Sequence, residues 1–124
     1  MANGGVDKVL AGLVAAVNES GVTGPEITVV TPSGPVCGHV MPGGLWVREV
    51  RDQVHGDPDG KLRELLKLNV GGGSAYIDGY VHLHEAGFLT ESGTVPRKAN
   101  MRFRLDVISG WMFGKPSARG SAML

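Results

Sequence analysis

The chain has 124 residues, of which twenty are glycine and seven proline, with 42% hydrophobic and 19% charged residues and twelve basic against twelve acidic side chains. A disordered chain would be poorer in apolar residues and carry a large net charge, and collagen is excluded because the glycines have no three-residue period. What needs explaining is a chain of single-domain length with about twice the usual share of glycine.

The longest mostly apolar stretch, residues 6–17, is too short to span a membrane and contains Lys8. The N-terminus lacks the basic and then apolar pattern of a signal peptide. A lone Cys37 cannot form an internal disulfide and fits a reducing compartment. The expectation is a cytoplasmic protein without membrane contact, built as one domain over residues 1–116 with a disordered polar tail at 117–124.

The first predicted element is a helix. Val6, Val9, Leu10, Leu13, Val14 and Val17 recur at helical spacing. Asn3 is placed to cap its start, Asp7 favours its positive end, and Gly21 follows as a left-handed stop. Residues 26–31 alternate and are rich in β-branched side chains, Thr31-Pro32-Ser33-Gly34 reads as a turn, and residues 36–41 return as a second strand. In that strand Val36, Gly38 and Val40 share one face, Cys37 and His39 the other. Pro42-Gly43-Gly44 breaks the strand, and Leu45, Trp46, Glu49, Val50 and Val54 predict a helix after the glycines. Residues 56–60 form a loop, 61–70 a second helical stretch, and Gly71 to Gly73 a flexible joint.

Residues 76–90 predict a long strand bent near Gly79 and Gly87. Residues 101–108 alternate Met101, Phe103, Leu105 and Val107 against Arg102, Arg104 and Asp106, the pattern of a half-buried antiparallel strand. Trp111, Met112 and Phe113 predict a short last strand. The fold class is α+β: an N-terminal helix plus a bent antiparallel sheet of four to five strands, with a helical insertion after the first hairpin. Helices on one face of the sheet are expected, and a small, partly closed barrel is a variant.

Most chemistry is absent from this pattern. His82 and His84 share a strand face and are the nucleus of a metal-binding or metal-dependent enzyme reading, which needs a third ligand. Glu85 alternates away, and His39, Asp78 or Glu91 would have to arrive through the fold; the favoured reading is two solvent-facing histidines, with no metal and no cofactor, and pH sensing is the remaining one, since histidine titrates near neutrality. Cys37 and His39 lack the further groups of a thiol nucleophile site. Gly71-Gly72-Gly73-Ser74 lacks the ending of a phosphate loop, and Asp57, Asp59 and Glu64 lack calcium-loop spacing. The chemistry of the chain therefore points away from catalysis.

Charge is uneven along the chain. Residues 1–60 hold three basic and seven acidic side chains, residues 61–124 nine basic and five acidic. Arg97, Lys98, Arg102 and Arg104 form a basic run, but a neutral total and Phe103 on the opposite face argue against a nucleic-acid-binding small barrel. A neutral molecule with opposite-signed regions tends to associate with itself near its pI of about 6.9. The face expected to carry interaction is that of Arg102, Arg104, Trp111 and Phe113, with Trp and Arg as common interface anchors.

Four passages resemble the gas vesicle accessory protein U family. They are the N-terminal helix ending at Asn18-Glu19-Ser20-Gly21, the strand–turn–strand of residues 27–41 with its Val36-Cys37-Gly38-His39-Val40 return, residues 80–89, and the closing residues 102–115 with aromatics before Gly114-Lys115. Residues 56–75 do not match that family. The resemblance implies a non-catalytic accessory protein that associates with itself and with the shell proteins of gas vesicles, in their assembly or clustering. The strand–turn–strand is also similar to the opening of Sm-like barrels.

Overall fold

The structure, a computed structural model, describes residues 5–53, 56, 59–61, 64 and 79–116. In chain order it contains helix α1 (Lys8–Ser20), strands β1 (Glu26–Thr31) and β2 (Gly34–Met41), helix α2 (Gly43–Gln53), strands β3 (Tyr80–Phe88) and β4 (Ala99–Arg104), a 3₁₀ turn (Leu105–Val107) and strand β5 (Gly110–Phe113). The class is α+β, with the second helix following the first hairpin as expected. The five strands run antiparallel in the order β4-β3-β2-β1-β5. The sheet is not closed: β4 and β5 are its two edges, although only the 3₁₀ turn separates them in the chain.

Helix α1 begins one residue after Asp7, whose Oδ1 accepts from the backbone N–H groups of Val9 and Leu10, each at 2.9 Å. That carboxylate satisfies donors the helix start leaves open. Val6 therefore precedes the helix, and Val9 is 69% exposed, so the buried stripe narrows to Leu10, Val14 and Val17. Gly21 takes the left-handed conformation (φ 73°) and its N–H returns to the Val17 carbonyl. The stripe packs into one core with Ile27, Val29, Val36, Val40, Val81, Leu83, Ala86, Leu105 and Ile108.

The sheet is bent by a bulge in β3. Glu85 sits at φ 50°, and the ladders shift between Cys37 and His39 on β2 and between Leu83 and Ala86 on β3. An extra residue of this kind increases local twist. Gly38 is the strand's answer to it: a Cβ there would lie 2.6 Å from the Ala86 Cβ, inside contact distance. Gly87 is held for a different reason, because a Cβ there would run into the backbone carbonyl of Arg97.

Three expectations change. Strand β4 ends at Arg104 and not at residue 108, because Leu105 turns into the core through the 3₁₀ turn while Val107 faces outward. Helix α2 starts at the glycines, its Gly43 N–H donating to Asn18 Oδ1 of α1 at 2.8 Å. The helices do not share a face: α1 covers the face of Val81 and Leu83, whereas Trp46 of α2 meets His82, which alternates to the other side. Asn3, the Gly71 to Gly73 joint, the 117–124 tail and most of the 61–70 helix lie outside the described residues. No helix among the described residues is long and apolar enough to cross a membrane.

Candidate interaction surface

The four residues singled out by sequence fall on the two edges of the sheet. Strand β5 pairs with β1 through Phe113↔Ile27, Met112↔Thr28, Trp111↔Val29 and Gly110↔Val30. Trp111 shares the core face with Val29 and is half-buried against the core. At the start of α1, the carboxyl of Asp7 is held below its ordinary value chiefly by the Leu10 N–H, with desolvation opposing it. Trp111 is therefore the anchor of the edge strand on the core.

Phe113 stacks edge-on against Trp111, with ring centres 5.1 Å apart, yet remains 60% exposed. Across the strand, Met112 and its β1 neighbour Val30 are exposed on the opposite face. The β5 edge thus presents apolar side chains on both faces beside an outer line of backbone groups not used by β1. Such an edge is a template for another chain.

At the other edge, Arg102 and Arg104 share the β4 face, but their surroundings differ. Arg104 is exposed and paired with Asp106. Arg102 is half-buried, its guanidinium 4.0 Å from the Tyr80 ring centre and 5.0 Å from that of Trp46. It is a stacked structural cation between β3 and α2 and not a free charge on a wet face. Beside this edge lies an apolar groove of about 320 Å³ lined by Phe88, Pro96, Arg97 and Met101.

The alternative chemistry of the sequence meets a different geometry. His82 is wholly buried, contrary to the expectation of a solvent-facing histidine. Its register partners are Met41 and Arg102, and the rings of Trp46 and Tyr80 lie 5.2 and 6.2 Å away. His84, half-buried, donates through Nδ1 to Asn100 Oδ1 at 3.1 Å. Asn100 also accepts from the Glu85 backbone N–H and donates to Glu49 Oε1 of α2 at 2.6 Å. Among the described residues no group of three or more His, Cys, Asp or Glu side chains converges on one point. Cys37 is buried with its thiol near Glu26 Oε2, and burial above all, with the Glu26 charge, raises its pKa. A raised thiol is a poor nucleophile.

Sequence reasoning missed the role of Trp46, Tyr80 and Asn100 in this cluster. The signal was present for Asn100, which precedes Arg102 by two residues and so shares its strand face. It was absent for Trp46, whose contact depends on where α2 crosses β3. No family model, curated protein or solved structure matches this chain.

Proposed function

We propose that this protein is a non-catalytic interaction module that associates with copies of itself through the β5 edge. One observation carries the reading: an edge strand that keeps Phe113, Met112 and the adjacent Val30 exposed, while Trp111 fixes the strand to the core. Isolated exposed apolar residues are ordinary, but Phe113 on one face and Met112 with Val30 on the other flank an open sheet edge, which marks a contact surface. The receiving surface is the β4 edge of another copy, where Phe88 is 43% exposed and the groove beside Met101 offers an apolar seat. Association of unlike edges continues from copy to copy, which suits the resemblance to gas vesicle accessory proteins and a role in clustering or assembly of gas-filled shells.

The test is the molar mass of the full chain by light scattering across protein and salt concentration. Mass is expected to rise with concentration, and Phe113→Asp with Met112→Lys to return the chain to a monomer with its circular dichroism unchanged. Arg104→Glu, at the receiving edge, is expected to weaken association less. A strictly monomeric wild type at high concentration, from low to high salt, overturns the reading.

A further inference from the structure

Helix α2 rests on a polar site that the self-association reading does not use. His82 has no exposed surface, and among the described residues neither of its ring nitrogens has a hydrogen-bond partner; the indole N–H of Trp46, which packs on it, is also buried without one there. Among the described residues, those set against it are Met41 from β2, Tyr80 from β3, Arg102 from β4 and Trp46 from α2. Among the described residues, the titratable and charged groups of that sheet face are Arg102 and Arg104 of β4, Tyr80 and His84 of β3, His39 and Cys37 of β2, and Glu26 of β1. Helix α2 adds Arg48, Glu49, Arg51 and Asp52. Glu49 and His84 are both engaged by Asn100, and Arg104 by Asp106. The charge set directly beside His82 in register is the stacked Arg102 cation.

A neutral imidazole fits such a site at the cost of unmet hydrogen bonds, whereas an imidazolium would be desolvated next to another cation. We propose that His82 is an acid-sensitive latch: while neutral it lets α2 seat on β3, and its protonation drives α2 away from the sheet. Opening would hydrate the imidazolium and part Arg102 from the Trp46 ring while leaving it on Tyr80 of its own sheet, so one proton acts on the helix contact.

The direction of the response follows from the burial. Burial, with the Arg102 charge added, pushes His82 from its ordinary 6.5 down to about 4. Between those values the open form binds a proton that the closed form refuses, so the closed form weakens as pH falls through that window. It is regained as pH rises, and below about 4 no further loss comes from this group.

The experiment is an NMR titration of the full chain from pH 7.5 to 3.5, following the Trp46 indole signal, the His82 ring and amide exchange in α2. Trp46 and α2 are expected to open in a reversible step between pH 4 and 6.5 while β1 and β2 amides stay protected. His82→Leu is expected to move that step down by at least one pH unit, and Arg102→Met by less. His84→Gln and His39→Gln are expected to leave it in place. An unchanged midpoint in His82→Leu overturns the latch. Should that variant not fold, the wild-type ring decides alone: a His82 that titrates near 6.5 with α2 still protected is equally fatal to it.

Discussion

The two faces of the sheet are built on opposite principles, and strand β3 shows both within adjacent residues. Leu83 points into the α1 face, where its core neighbours are apolar and Gly38 meets Ala86 with no room for another methyl group. His82 points into the α2 face, among Trp46, Tyr80 and Arg102, with its ring nitrogens unmet. Among the described residues, the core of the first face holds no titratable side chain. The second holds its helix through one stacked cation, one shared amide and a buried histidine. A small domain can therefore keep a fixed core on one side and a conditional contact on the other.

The largest expected effect tests that contrast directly. Leu83→Ala leaves a cavity among residues that cannot collapse, at a cost of about 3 kcal/mol at any pH between 5 and 8. His82→Leu, one residue away, removes two unmet polar atoms for a side chain of similar bulk, so at pH 7 stability should change by less than about 1 kcal/mol in either direction. Denaturant unfolding of the two variants at pH 7 measures both. If they lose equal stability, the α2 face is as close-packed as the α1 face and the distinction fails.

A smaller effect is expected at Asn100, the residue that connects β4, the β3 bulge and α2. Its Oδ1 accepts from the Glu85 N–H and His84, and its amide holds Glu49. Asn100→Ala strands the Glu85 donor at a non-glycine residue with φ 50°, and should cost about 1–2 kcal/mol. Amide exchange sharpens the comparison, because the loss should appear first at Glu85 and in α2 and leave α1 protected.

How much of this was legible follows from which forces are local. The first hairpin was readable to the residue over Glu26–Thr31, because alternation, a Pro-Ser-Gly turn and β-branched side chains all act over a few positions. The end of β4 was not, since the alternation of residues 101–108 continues past the point where Leu105 finds the core. The face covered by α2 depends on where a helix crosses a strand some forty residues later in the chain, and no local pattern encodes that. For the same reason His82 read as a wet histidine paired with His84 and proved buried. Of the residues expected to carry interaction, Phe113 is exposed, while Arg102 lies stacked between Tyr80 and Trp46 and not on the wet face that alternation suggests. The grouping of Arg102 and Arg104 with Trp111 and Phe113 followed from nearness in sequence, and the sheet order assigns the pairs to different edges.

The smallest effect concerns glycine, and it has opposite signs in two places. Gly38 is compelled by contact, because a Cβ would press on Ala86. Gly12, in the middle of α1, has nothing within 4 Å of where its Cβ would stand and lies on the exposed side of the helix. No packing need holds it there, and its backbone freedom in the unfolded chain works against the helix. Gly12→Ala should therefore raise stability by about 0.5–1 kcal/mol, seen as a higher denaturant midpoint with an unchanged slope. Gly38→Ala should lower it. A destabilised Gly12→Ala would mean that α1 meets another surface on its outer side, and helix α1 would then join the β5 edge in the association interface.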